Sequence, residues 1–258
     1  MSMTAARERA AAETPPSLVR RTWRTAITPI VLVLIVVGLL TYVHTRTLDT
    51  IEKSNLGIGF ILAKTWQHVE LTVAGTILVL VIALPLGVAL TRKNVRVVAP
   101  AVLVLANIGQ AAPAVGIIVL FAVAWKIGFW TAVLALTVYG VLPSLRNTMV
   151  GLQQVDPALI DAGRGIGMSA GGVLAKVELP LAVPVILGGV RTTLVLMVGN
   201  AAIATFIGAG GLGDLIVAGI STQRTLVMIT GSVMIAVLAL LIDWIGGVLT
   251  RLLSPRGL

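Results

Sequence analysis

Long uncharged runs of hydrophobic residues recur along the chain and set the first prediction. A helix needs about 20 apolar residues to cross the hydrocarbon core of a bilayer, and six segments approach or exceed that length. The sequence therefore predicts an all-α membrane protein with six transmembrane helices. The predicted spans are residues 27–43, 69–90, 97–124, 128–145, 184–206 and 226–249.

Polar and helix-breaking residues interrupt two of these spans. Pro113 lacks a backbone donor, so the third span is expected to be kinked or locally unwound. Polar groups at membrane depth usually face protein or a water-filled cavity, which makes them candidates for a translocation path. The alternative is inter-helix hydrogen bonding that holds the bundle together. The candidates are Asn107, Gln110, Pro113, Asn200 and Thr205.

Basic residues lie between the spans and predict an orientation. With Arg191 assigned as a snorkelling side chain, 14 of the 19 Lys and Arg residues fall on the side of the N-terminus and 5 on the other. The positive-inside rule then places both termini in the cytoplasm. Trp125 and Trp130 fall at the predicted outer interface, where aromatic residues concentrate. The first span lacks a small-residue cleavage pattern, which favours an uncleaved signal anchor.

Composition agrees with a membrane protein and excludes several other classes. The chain is 57% hydrophobic and 11% charged, and that charged share is less than half the usual value of about 25%. A net charge of +9 would suggest nucleic acid for a soluble protein, but here the basic residues flank spans, so we expect lipid contact and no nucleic acid. No cysteine is present and His44 and His68 are isolated, so we expect no metal site.

Nucleotide and dinucleotide motifs are not supported by their surroundings. No lysine follows a glycine as a phosphate-binding loop requires, so any ATP hydrolysis must come from a partner. Residues 208–213 match G-x-G-x-x-G, but they follow a membrane helix rather than a strand, which favours a glycine-rich bend at the outer end of the fifth span. Asp243 stands apart from the other acidic residues, so the chain has no pair of catalytic carboxylates and we do not expect it to be an enzyme. We expect Asp243 to have a structural role, paired with Arg251.

Residues 146–183 break the pattern of spans with several charges. Asp156 is suited to cap a first short helix with Pro157 at its first position, and Ser169 to cap a second, which Pro180 would end. The turn is predicted at 163–167. An ordinary solvated loop is the alternative, but the helices would offer a soluble partner an apolar face. Its residues are Leu159, Ile160, Val173, Leu174 and Val177.

The spacing in this loop resembles the EAA loop of ABC importer permeases. That pattern is E-A-A, three residues, G, nine residues, I, one residue, L-P. This chain departs from it conservatively at 161 and 177, and at 163, where glycine replaces alanine. The resemblance implies that the matching residues contact the ATPase. They are Asp161, Ala162, Gly163, Gly167, Val177, Leu179 and Pro180.

A wider resemblance runs from about residue 66 to residue 249. The segments Leu142–Thr148 and Ile207–Ile216 are similar to permeases of glycine betaine, carnitine and choline importers, although methionine importer permeases share the glycine-rich part. The resemblance implies a type I ABC importer (MetI-like) permease fold. It also implies two ATPase copies that bind the ATP and Mg, a second permease copy or paralogue, and a periplasmic or lipid-anchored substrate-binding protein.

The implied organisation has four parts. A cytoplasmic tail at 1–26 precedes a transmembrane helix at 27–43. The permease core at 66–250 contains the coupling loop 149–183, and a cytoplasmic tail at 251–258 follows. Two other classes stay open: an ion-coupled secondary transporter, which usually needs buried carboxylates, and a membrane scaffold. Because aromatics are only 4% of the chain, a cation–π cage for a quaternary amine is expected in the binding protein.

Overall fold

The structure is a computed structural model that describes residues 18–253. The predicted tail 1–26 lies mostly outside these residues, as does most of the tail 251–258. Ten helices of four residues or more make up the described part, some of them continued by short 3₁₀ or π turns. They are α1 (Leu18–His44), α2 (Thr50–Leu56), α3 (Ile58–Thr91), α4 (Ala99–Ala111), α5 (Ala114–Ala124), α6 (Phe129–Gln153), α7 (Pro157–Gly165), α8 (Ala170–Ile207), α9 (Gly213–Ser221) and α10 (Thr225–Leu253).

Five of the described helices are long and apolar enough to cross a membrane: α1, α3, α6, α8 and α10. The sixth span is the bent pair α4–α5, whose axes meet at 98°. Ala112 ends α4 in an extended conformation and Pro113 precedes α5, because a proline disfavours helical geometry in the residue before it. Five long helices and this bent pair, counted as one span, agree with the prediction of six, and the predicted break in the third is confirmed.

Several helices extend further than the predicted spans, α3 and α6 among them. The helix α3 begins at Ile58 rather than Val69, and α6 continues to Gln153 rather than ending at Leu145. At 1.5 Å per residue, α3 is about 50 Å long, whereas the hydrocarbon core is about 30 Å thick. Its first turns therefore project beyond the bilayer. Polar residues can occupy these turns, and hydropathy alone therefore places the start of the helix too late in the sequence.

Ion pairs show which ends of the helices lie together. Arg92 at the end of α3 pairs with Glu178 near the start of α8. These two residues therefore lie at one end of the bundle, the end at which α1 begins and α10 finishes. We call this end the terminal face. Asp49 before α2 pairs with Arg224 before α10, and both lie at the opposite end, the far face. Consecutive spans thus alternate in direction.

The core forms where α3, α6 and α8 pack together. Leu71, Leu136 and Met197 are fully buried there. Thr193 donates to the Gly140 carbonyl at 3.0 Å and pairs with Ser144 at 2.8 Å, so a polar contact also joins α6 to α8. A second cluster, which includes Val43, Leu56, Leu215 and Val227, joins α1, α2, α9 and α10.

Glycines allow the closest helix contacts near the terminal face. A β-carbon at Gly189 would lie 2.5 Å from the Asn147 β-carbon and 2.9 Å from the Pro143 carbonyl oxygen. A β-carbon at Gly87 would lie 2.7 Å from the Thr148 β-carbon. The helices α3, α6 and α8 therefore touch almost backbone to backbone, the kind of contact that small residues permit in membranes.

We predict that Gly189→Ala lowers thermal stability, because the added methyl group forces α6 and α8 apart, an overpacking cost of about 1–3 kcal/mol. Gly188→Ala is the matched control, since a β-carbon at that position would have no atom within 4 Å and alanine is the better helix former. Thermal unfolding of the two detergent-solubilised variants measures the difference. Equal midpoints would contradict the close contact.

Candidate functional site: the loop between the fourth and fifth spans

The helix α7 begins as its sequence predicts. The Asp156 carboxylate accepts a hydrogen bond from the Ala158 amide at 2.8 Å, and Pro157 occupies the first turn. The first orphan amides of the helix are thereby partly satisfied. At the other end, the Ile166 amide donates to the Ala162 carbonyl, so the helix includes Gly163 and closes after Gly165.

The turn after α7 is shorter than predicted and depends on Gly167. This residue has φ +90°, a backbone conformation that side chains disfavour. The Met168 amide then donates to the Gly163 carbonyl at 3.1 Å. Ser169 caps α8 as predicted, because its hydroxyl oxygen accepts from the Gly172 amide at 3.1 Å. The predicted turn at 163–167 therefore moves to residues 166–169.

Gly163 marks the contact between α7 and the start of α8. It is buried, and a β-carbon there would lie 3.3 Å from Val173 Cγ2 and 3.7 Å from Val177 Cγ2. Val173 is buried and Val177 half-buried, so these two residues hold α7 rather than facing outward as predicted. The departure from alanine at this position thus coincides with the contact between the two loop helices.

The outward surface of the loop combines charged and apolar side chains. Leu159 is 47% exposed and Ile166 is 77% exposed, and Asp161 and Ala162 are exposed between them. The predicted apolar face therefore includes Leu159, and Ile166 is an addition that the helical pattern missed because it lies in the turn. An exposed apolar side chain on a charged loop is suited to contact a partner.

The prediction that Pro180 ends the second helix is wrong. Helical backbone continues from Ala170 to Ile207, and the second loop helix is the beginning of the fifth span. Residues 174–178 form a π turn, in which the Leu179 amide donates to the Leu174 carbonyl. Such a turn is wider than an α-turn and lies where the ring of Pro180 would otherwise clash with the preceding carbonyls.

A bidentate ion pair joins this π turn to α3, and sequence reasoning missed it. Arg92 Nη1 and Nη2 donate to Glu178 Oε1 and Oε2 at 3.1 and 2.5 Å. Arg92 Nε also donates to the Thr91 hydroxyl at 3.2 Å. Glu178 is only 4% exposed. The sequence offered two signs of this pair: a basic residue after one predicted span, and an acidic residue in the loop 86 positions later.

The translocation-path candidates lie in two places. Asn107 in α4 donates to the Leu103 carbonyl at 2.7 Å and accepts from Arg146 Nη2 at 3.2 Å, and Gln110 reaches the Tyr139 carbonyl at 3.5 Å. Pro113 is exposed at the start of α5. Inter-helix hydrogen bonds therefore exist for the first two, as the alternative interpretation expects, and a transport role for them stays a prediction.

Asn200 and Thr205 lie near the far face, at the end of α8. Thr205 donates to the carboxylate of Asp214, and Lys64 binds the other oxygen of that carboxylate at 2.6 Å. Asn200 is half-buried. Thr205 is thus held by a different hydrogen-bond network from the two candidates in α4. The transport roles of Asn200 and Thr205 also stay predictions.

The glycine-rich bend follows α8, as predicted, and α3 holds it. Gly208, Gly210 and Gly211 have φ of +66°, +81° and +98°. His68 is fully buried; its Nδ1 accepts from the Leu212 amide at 3.3 Å, so its Nε2 donates to the Val198 carbonyl at 2.9 Å. One neutral imidazole therefore satisfies two buried backbone groups.

An ion pair at membrane depth corrects two predictions. Arg191 Nε and Nη2 donate to the two carboxylate oxygens of Asp243 at 2.5 Å each. Asp243 therefore does not pair with Arg251, whose Nε donates to the Gly247 carbonyl, and Arg191 does not simply snorkel. The pair borders a groove of about 390 Å³ that also includes Thr28. Mutual pairing lowers the cost of placing either charge in a span.

Asp49 ties the far-face loop after α1 to the start of α10. Its carboxylate accepts from the Glu52 amide at 2.8 Å and from Arg224 Nε at 2.5 Å. These bonds, the amide first, hold the pKa of Asp49 below its usual value of 3.8. A lowered carboxyl pKa stabilises the folded state above the unfolded pKa, and this contribution is lost only as the pH falls through the lowered value.

Comparison with known proteins shows a family and similar proteins for most of the chain. Residues 83–256 match the family described as binding-protein-dependent transport system inner membrane component. Over 200 residues the chain is 40% identical to the Bacillus subtilis glycine betaine/carnitine/choline transport system permease protein OpuCB, covering 78% of this chain and 91% of that protein. It is 39% identical over 216 residues to the Salmonella typhimurium osmoprotectant import permease protein OsmW, covering 82% and 100%.

Solved structures agree on the fold. A chain of the MetNI methionine ABC transporter in an inward-facing conformation matches with a TM-score of 0.65 and 27% identity, over 76% of this chain and 96% of that one. A chain of an amino acid ABC transporter, solved with histidines, matches with a TM-score of 0.62 and 19% identity, over 82% and 100%. The predicted methionine-permease-like fold is confirmed.

We predict that His68→Leu loosens the glycine-rich bend, because the Leu212 amide and the Val198 carbonyl both lose their partner, at about 1–3 kcal/mol for each unsatisfied group. Hydrogen–deuterium exchange should rise in a peptide that covers residues 208–213. His44→Leu is the control, because His44 is exposed. Unchanged exchange in the His68 variant would show that the imidazole does not hold the bend.

Proposed function

Because this chain belongs to the family of binding-protein-dependent transport system inner membrane components, we propose that it is the permease subunit of an ABC importer for glycine betaine or a related quaternary amine. The observation that carries the proposal is the 40% identity to OpuCB, which extends over 91% of that permease. The chain itself contains no phosphate-binding lysine motif, in agreement with ATP hydrolysis by a partner subunit.

The terminal face is the proposed cytoplasmic side. The loop between α3 and α4 carries Arg92, Lys93 and Arg96, and the loop between α6 and α8 carries Arg164. Short basic loops are retained in the cytoplasm. The far face, which carries the glycine-rich bend, then faces outward, where the family name implies a binding protein that delivers substrate.

The loop 154–169 and the start of α8 are the proposed seat of the ATPase. The exposed side chains of Leu159 and Ile166 supply apolar contact, and Asp161 supplies an exposed charge at its edge. Two permease copies, or this chain and a paralogue, would bind two ATPase copies that hold the ATP and Mg. Nucleotide-driven approach of the ATPases would then rock the helices between inward-facing and outward-facing states.

The structural neighbours leave a second cargo class to test. The MetNI chain is a methionine transporter subunit and is 27% identical to this chain, less than the 40% of the OpuCB relative. An ion-coupled mechanism has less support, because the carboxylate of Asp243, which lies within the last span, is paired with Arg191.

We predict that expression of the chain with its ATPase and binding protein restores uptake of radiolabelled glycine betaine in a strain without other betaine transporters. Uptake of radiolabelled methionine in a methionine-transport-deficient strain is the parallel arm. Methionine uptake without betaine uptake would overturn the cargo and keep the importer. A complex that neither retains an ATPase nor imports either solute would contradict the function.

We predict that Gly167→Asp abolishes recovery of the ATPase with a tagged permease while membrane insertion persists. An aspartate at φ +90° distorts the turn that presents Ile166, since non-glycine residues strain there by about 1–2 kcal/mol. Gly59→Asp adds the same charge at an exposed far-face position with open space and ordinary φ and should retain the ATPase. Normal recovery with the Gly167 variant would contradict the proposed seat.

A further inference from the structure

Arg92 occupies an unusual position between the membrane core and the loop. It follows the last residue of α3 in an extended conformation, with φ −80° and ψ 140°, so it is not part of a helix. Its guanidinium nevertheless has a fixed orientation, because Nε bonds to the Thr91 hydroxyl at 3.2 Å while both terminal nitrogens bond to Glu178. The planar fork therefore points from the end of α3 directly at the π turn of α8.

Glu178 is buried, and Arg92 is its charged partner. Its side chain is 5% exposed, whereas that of Arg92 is 37% exposed. A buried carboxylate that loses its partner is strongly disfavoured, and two parallel bonds to one guanidinium fix direction as well as distance. A displacement of residues 174–178 must therefore move the end of α3 or break both bonds together.

The loop reaches the other core helices by different means. It continues covalently into α8, and α8 touches α6 at Gly151, where an added β-carbon would lie 3.1 Å from the Ala182 carbonyl oxygen. Neither of these two contacts includes α3, which packs against α6 and α8 deeper in the bundle. Among the described residues, Arg92–Glu178 is the ion pair that links α3 to the loop segment, since the other three lie elsewhere.

We propose that Arg92 is the positioning residue through which the loop moves α3, so that the Arg92–Glu178 pair converts ATPase motion at the terminal face into movement of the far-face bend. The far end of the same helix carries Gln67 and His68, which hold Gly211 and Leu212. The continuous helix α3, Ile58–Thr91, therefore connects the two faces. This inference rests on the proposed function and concerns the coupling step alone.

The test uses the chain in complex with the ATPase that copurifies with it, reconstituted in proteoliposomes with the substrate-loaded binding protein. Both ATP hydrolysis and glycine betaine import are measured for four variants. Arg92→Gln and Glu178→Gln each remove the pair with little change in size, and the double variant removes both charges. Lys93→Gln is the matched control, because it removes a neighbouring exposed charge that is in no ion pair of residues 18–253.

We expect each single variant to bind the ATPase in wild-type amount and to hydrolyse ATP, while betaine imported per ATP falls about tenfold, within the usual range of coupling energies. The double variant should fall by the same factor rather than by its square, because the two residues act through one contact. Lys93→Gln should match the wild type.

Three results would overturn the inference: single variants that import as much betaine per ATP as the wild type, single variants that lose the ATPase or the folded chain, and losses that multiply in the double variant. A wild-type chain that binds no ATPase would instead contradict the proposed function itself. The two failures are therefore distinguishable in one experiment.

Discussion

Helical backbone passes without a break from Ala170 to Ile207, although Pro180 and Pro184 lie within that stretch. The π turn at 174–178 makes this continuity possible, because its wider hydrogen-bonding register leaves room for the proline that follows. As a result, the second helix of the surface loop is continuous with the fifth span. The positions of α7, of Glu178 and of the glycine contacts with α6 all depend on that helix.

The ion pairs are a second constraint on where the helices lie. Each of the four ion pairs between described residues joins elements far apart in the chain: Lys64–Asp214 and Asp49–Arg224 at the far face, Arg92–Glu178 at the terminal face, and Arg191–Asp243 at membrane depth. Charges within or near a bilayer are costly unless they are paired or hydrated. The pairs therefore fix which helix ends meet, while apolar packing and glycines set how closely they approach.

Much of this arrangement is local and could be predicted from sequence. Hydropathy over about 20 residues reveals the spans, Asp156 and Ser169 indicate helix starts through their own neighbours, and Pro113 indicates the break before α5. What could not be predicted depends on distant partners. Arg92 and Glu178 are 86 positions apart, and Arg191 and Asp243 are 52 apart, so no spacing rule connects them. Pro180 misled because a neighbouring π turn, which has no sequence signature of its own, cancels its effect.

The central claim is that the terminal-face loop is the seat of an ATPase subunit. The chain contains no cysteine, so single cysteines can be introduced without background. Disulfide cross-linking of Ile166→Cys to single cysteines in the ATPase tests the claim directly, with Ile127→Cys, 72% exposed near the far face, as the comparison. The account predicts a cross-linked band for Ile166→Cys and none for Ile127→Cys. A band at Ile127→Cys alone, or none at either position in an active complex, would contradict it.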